Sequence, residues 1–371
     1  MSLISPSFAY AFAAGFGVAL LGFAPAPAMA DATCQLEQNF PTEKLFQLHS
    51  DGSIFLKNDK ACTEPACFGG WFLLDQNPAT VSIAAYCELY QMHRDGAVFH
   101  YTGSGTAAEQ CNGGICPNWE QFDQNPHTKA IAAGASYGAS AEAVLYQLHD
   151  DGSIFRRNGS PCHEAQCFGG WDTLDQNPAT VSIAAGFTGL FQMHNDGKIY
   201  RWDGKTFCGA NGCPGWALLD QSDNVAISAG HGLYRIDRHG AMFHYEGDKT
   251  SCVTPTCPGW VQVGQDAAAA TMKEGFPQLY ALNKDGSIMT GGAAPCQGND
   301  CAAIWQTLPP SDHALAIAAG RLLYKMRSDH AIFRYNGKPC DPAVSCANAW
   351  DQLDANPGTV GILSAGVLFS R

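Results

Sequence analysis

The residues best equipped for chemistry in this sequence are its cysteines, and their spacing sorts nearly all of them into pairs. Fourteen of the 16 fall two by two: Cys62 with Cys67, Cys111 with Cys116, Cys162 with Cys167, Cys208 with Cys213, Cys252 with Cys257, Cys296 with Cys301 and Cys340 with Cys346. Six pairs enclose four residues and the last encloses five. Thiols recurring at such short range fit one small disulfide loop per repeat in an oxidising compartment. A zinc site would need four ligands, usually with tighter cysteine spacing. The lack of a Cys-x-x-Cys motif speaks against redox chemistry. Cys34 and Cys87 are left over and pair by elimination, which would pin the N-terminal tail near Ile83.

A second set of residues has the character of a sugar site. His49, His93, His149 and His194 each stand just before an Asp-Gly pair, where other repeats carry Asp237, Asn283 and Arg327. The runs Asp75-Gln76-Asn77, Asp123-Gln124-Asn125 and Asp175-Gln176-Asn177 lie on the same side of the repeat. Side chains that both donate and accept hydrogen bonds suit a ligand rich in hydroxyls. Asp and Asn before Pro also build Asx-turns, and the histidines can bond the adjacent crossover. On the other side stand Tyr101, Trp202, Tyr245 and Tyr335, each followed closely by Gly. An aromatic beside a rigid loop can stack on a sugar's C–H face, or pack against the neighbouring disulfide or tryptophan. Trp202 is the foremost candidate because it breaks the tryptophan register. No sialidase box, nucleophile elbow, His-Glu-x-x-His or glycosidase signature is present. The Asp-x-Asn runs lack the ligand density of a calcium loop, so neither metal nor cofactor is expected.

These residues are positioned by a repeat. Trp71, Trp119, Trp171, Trp216, Trp260, Trp305 and Trp350 are spaced by 48, 52, 45, 44, 45 and 45 residues. A period near 45 signals a propeller or solenoid. Residues 145–186 show the unit most clearly, and residues 45–85 nearly duplicate it. Each unit divides into four strands: a small one (Ile183–Gly186), an alternating one (Leu145–His149), one after Asp151-Gly152 (Ser153–Arg156), and one from Trp171 to Leu174. Asp-Gly between apolar runs marks a hairpin. No helical periodicity appears beyond the first thirty residues, which excludes an α-solenoid. The sequence therefore predicts an all-β, seven-bladed β-propeller of four-stranded antiparallel blades over residues 45–371. Ala and Gly in the first strand suit a crowded channel, and the Trp strand suits the gap between blades. The N-terminal unit starts at its second strand (Leu45–His49), and the C-terminus ends just past a first strand (Ile362–Gly366). The C-terminal strand is thus expected to close the N-terminal blade.

Net charge is −13, which excludes a basic nucleic-acid face. Residues 8–24 form an apolar run ending at Ala28-Met29-Ala30, read as a secretory signal peptide over 1–30 with a tail over 31–44. The mature chain is expected to be secreted or periplasmic, monomeric and without a membrane span.

The tryptophan strand, the small strand ending in Gly and the aromatic strand before Asp-Gly resemble the tectonin or tachylectin-like β-propeller repeat. The run IAAG…LYQLHxDGSIF is also similar to the regulator-of-chromosome-condensation propeller repeat. The first resemblance implies a non-catalytic, multivalent, lectin-like binder of glycan or cell-surface polysaccharide. A protein–protein interaction platform and a propeller hydrolase or lyase are the alternatives.

Overall fold

The structure, a computed structural model, describes residues 43–58, 70–112, 114–135, 143–160, 168–247, 252, 257–266, 268–275, 278–292, 295–296, 301, 305–308, 313–338 and 347–365. The expected signal peptide, most of the tail, Cys34 and Gly366 lie outside these residues. So do three of the expected disulfides: Cys62 with Cys67, Cys162 with Cys167, and Cys340 with Cys346.

Among the described residues, twenty-eight strands form seven four-stranded antiparallel sheets. Blade 1 joins Lys44–His49, Ser53–Lys57 and Trp71–Gln76 to the last strand, Thr359–Ala365. Blades 2 to 7 then follow in chain order, with inner strands Thr80–Ala85, Thr128–Ala135, Thr180–Gly186, Asn224–Ala229, Ala269–Glu274 and Ala314–Ala319. Closure is as the sequence predicts: Lys44 pairs Ala365, Phe46 pairs Leu363 and Leu48 pairs Gly361. That ladder removes the two free edges a linear array would leave. Among the described residues no helix is long and apolar enough to cross a membrane.

The inner strands are small because their backbones meet. A Cβ on Gly134 would stand 2.7 Å from the Gly186 nitrogen, and one on Gly186 would stand 2.5 Å from the Gly230 carbonyl oxygen. The Asp-Gly turns are equally constrained. Gly152 has φ +85°, and a Cβ there would fall 2.2 Å from the Asn177 carbonyl oxygen. Every inner strand also carries a bulge near its start, at Val81, Lys129, Val181, Val225, Ala270, Leu315 and Val360. A bulge turns its extra residue out of the ladder. Val81, Val181, Val225, Leu315 and Val360 are accordingly 40–54% exposed.

The outer strands explain the tryptophans. In blade 1 the ladder skips Leu74, since Ile54 pairs Asp75 while Phe55 pairs Leu73. The carbonyl of that skipped residue accepts the Trp119 indole N–H from the next blade at 3.0 Å. The same bond runs from Trp216 to Leu174, Trp260 to Leu219 and Trp305 to Val263. Trp71 bonds Leu353 and so repeats the contact across the closure. Trp171 departs from this pattern: its indole N–H is buried with no partner. The disulfide loops clasp the same edges. Cys111, Cys208, Cys252 and Cys296 donate their backbone N–H to Leu73, Thr173, Leu218 and Gln262 on the preceding blade. Each is disulfide-bonded to its expected partner, Cys116, Cys213, Cys257 and Cys301. The structure thus bears out four of the seven expected loop disulfides; those ending at Cys67, Cys167 and Cys346 fall outside the described residues. Cys87 is also disulfide-bonded and buried, its expected partner Cys34 lying outside the described residues. Five-residue separations stabilise little through chain entropy alone; their structural yield is an edge strand whose carbonyls are covered.

Candidate functional site

The crossover face holds the four histidines, and it buries them. His49, His93, His149 and His194 are each 6% exposed. Each ring lies against the aromatic six residues on: Phe55, Phe99, Phe155 and Tyr200, at centroid distances of 4.5, 4.5, 4.3 and 4.4 Å. Burial lowers all four pKa values. The aspartates of the crossovers are equally occupied. Gln147 Nε2 donates to Asp123 Oδ2 at 2.8 Å, and its Oε1 accepts from Thr128. Gln192 does the same with Asp175 and Thr180. In blade 5 the role passes to charged groups, with Arg235 paired to Asp220 at 3.3 Å. Asp, Gln and Thr thus form a buried contact joining the outer strands of blades 2 and 3 to the next blade. The Asx reading of the crossovers holds as well: Asn77, Asn125 and Asn177 each accept a backbone N–H two residues on. This face offers a ligand none of the histidines.

The aromatic candidates are core. Tyr101, Trp202, Tyr245 and Tyr335 sit directly opposite Trp119, Trp216, Trp260 and Trp350 in the blade ladders. Cross-strand aromatic pairs of this kind stabilise a sheet. Trp202 is 0% exposed; its indole N–H donates to Thr206 at 2.8 Å and its ring is edged by Tyr146 and Phe207. A hollow of about 340 Å³ beside Asp203 and Lys205 borders it. The Asp203 carboxylate there already accepts from Lys205 and Thr206. Tyr101 is 4% and Tyr245 8% exposed, while Tyr335 is half-buried against Trp350. Burial pushes the Tyr101 phenol up to about 12. The packing alternative therefore prevails over stacking on a ligand, most clearly at Trp202. Its departure from the tryptophan register reflects its place on a third strand.

The open site is the central channel. A cavity of about 380 Å³ is lined by the inner strands of all seven blades. Its wall is mostly Ile, Ala, Gly and Ser, from the recurring IAAG. Ionisable lining groups gather at the end where the inner strands leave the channel: His231, Lys273 and Glu274. There too stands Phe187, 49% exposed, its ring 5.5 Å from His231. The sequence reading passed over all four. The signal was the one inner strand in which Met272-Lys273-Glu274-Gly275 replaces Ile-Ala-Ala-Gly. Glu274 accepts the Gly232 N–H at 2.9 Å and bonds Tyr234 on the preceding blade. Lys273 is water-accessible yet enclosed by the ring, and that enclosure lowers its pKa. Among the described residues no group of three or more His, Cys, Asp or Glu is placed to hold a metal ion.

The closed ring of seven four-stranded blades defines the molecule as a seven-bladed β-propeller, in agreement with the resemblance read from the repeat. Among solved structures it is similar to the BP39L lectin of Burkholderia pseudomallei, at 14% identity over 86% of this chain and 95% of that one, TM-score 0.47. It is also similar to human WBSCR16, at 11% identity over 79% and 88% of the two chains, TM-score 0.49. Yeast RCC1 (Prp20), solved with Kap60, aligns at 11% identity over 79% and 78%, TM-score 0.48. No protein-family model matches the chain, and no curated protein matches its sequence.

Proposed function

We propose that this chain is an exported, non-catalytic binding propeller that seats one glycan segment at the strand-exit mouth of its central channel. The observation that carries the reading is the make-up of that mouth. An exposed aromatic, Phe187, stands beside His231 and lines the same cavity of about 380 Å³ as Ser228, Lys273 and Glu274. Sugar rings present an apolar face and a ring of hydroxyls, and pockets that take them pair an aromatic with a few convergent polar groups. Burial of the repeated His and Tyr candidates argues for one seat per chain rather than seven. Four disulfides among the described residues fit an oxidising compartment, which supports export.

A glycan array probed with the full chain, with free sugar as competitor, tests this. Saturable binding that is competed by sugar and lost in Phe187→Ala supports the reading. Binding to no glycan, or binding indifferent to Phe187, overturns it in favour of a protein partner.

A further inference from the structure

Among the described residues, the channel lining holds a cation that the fold does not use, Lys273. We propose that Lys273 forms a carboxylate-recognition subsite, so that the ligand at the channel mouth is an acidic sugar of the uronic-acid class. This rests on the channel being the glycan seat proposed above.

Three observations converge on it. First, six inner strands place Ala, Ser or Leu where the sixth blade places Lys273, so nothing in propeller geometry calls for a cation there. Register confirms the equivalence: Lys273 pairs Tyr280 as Ala184 pairs Phe191 and Ala318 pairs Tyr324. Second, the carboxylates at this end of the ring are engaged elsewhere. Glu274 is held by Gly232 and Tyr234. Glu43, at the closure, accepts from the Leu322 N–H and from Ser364. Among the described residues no side chain pairs with the Lys273 ammonium, whereas the buried Arg235 is matched to Asp220. Third, Lys273 lines a cavity that is open to solvent and so within reach of a ligand. The ring reduces the hydration of this cation, so an anion entering the channel meets an under-solvated partner.

The overall charge narrows the anion. A chain of net charge −13 repels polyanions over distances set by the Debye length. A ligand carrying one carboxylate among hydroxyls meets one cation and suffers least from that field. Lys273 is a single compact charge on a flexible stem, which suits one oxygen pair rather than a planar fork.

The test follows the Lys273 ammonium by NMR in the full chain with isotope-labelled lysine. Its resonance is assigned by its loss in Lys273→Met. Sodium glucuronate, glucose and sodium acetate are titrated at fixed ionic strength. The expected result is a saturable glucuronate-dependent shift of the Lys273 signal and a rise in its pKa. Glucuronate should bind roughly tenfold more tightly than glucose, as one partly enclosed charge-assisted contact provides. Lys273→Met should abolish that preference, and Lys273→Arg should retain part of it. Equal binding of glucuronate and glucose, or a preference that survives Lys273→Met, overturns the subsite and leaves the glycan seat standing. Acetate binding as tightly as glucuronate, with no glucose binding, retains the anion site and overturns the glycan seat. No shift with any probe overturns both.

Discussion

His149 illustrates how burial settles a residue's role. Its ring lies against Phe155, its Nε2 is 3.0 Å from Gln147 Oε1, and desolvation lowers its pKa. His49, His93 and His194 share the direction and the cause. The unfolded chain therefore binds more protons than the native one between the lowered values and 6.5, so stability rises with pH through that window. Acidification from neutral pH should lower the melting temperature once the pH passes below about 6.5. Burial raises the pKa of Asp75, Asp123 and Asp354, which works in the opposite sense in the window just above 3.8. NMR titration of the imidazole protons checks this directly: four midpoints below 6.5 are expected. Midpoints at or above that value would mean the rings are solvated and open to ligands. At this scale the sequence was least informative. His-x-Asp-Gly has the same composition whether the ring faces water or stacks on the aromatic six residues later.

At the scale of strands, the tryptophans act as rivets between blades. A bulge in one outer strand frees a carbonyl, and the next blade's indole N–H satisfies it. Trp216→Phe keeps an aromatic in place but leaves the Leu174 carbonyl without its donor, at a cost of about 1–2 kcal/mol beyond the lost volume. Trp171→Phe removes the same atoms where no acceptor is present, and should cost measurably less. Urea denaturation midpoints of the two variants check the difference; equal losses would show that the tryptophans act by volume alone. The regular spacing of Trp and Cys made the repeat, the strand order and the closure legible, because each recurs once per blade with the same role. The bulges and the bonds they create were not legible. They depend on register between strands of different units, which a list of intervals does not encode.

For the whole molecule, sevenfold repetition hides function in its exceptions. A feature that recurs from blade to blade belongs to the scaffold, as the buried Asp–Gln–Thr contacts and the Asp-Gly turns do in several of them. The strand carrying Lys273 and Glu274 departs from its siblings at the point where the ring encloses a cavity. A repeat search reads that strand as noise, and it was passed over for the same reason. The central claim is that ligand sits in this channel. A variant combining Ala132→Leu, Ala184→Leu and Ser228→Leu fills it with side chains the fold already accepts, since Leu363 occupies the equivalent register position opposite Phe46. Isothermal titration of this variant with the best glycan from the array, alongside a circular-dichroism melt, is the most direct measurement. The account predicts binding at least roughly tenfold weaker than wild type with the sheet spectrum and cooperative melt retained. Unchanged affinity in a folded, channel-filled protein would contradict it.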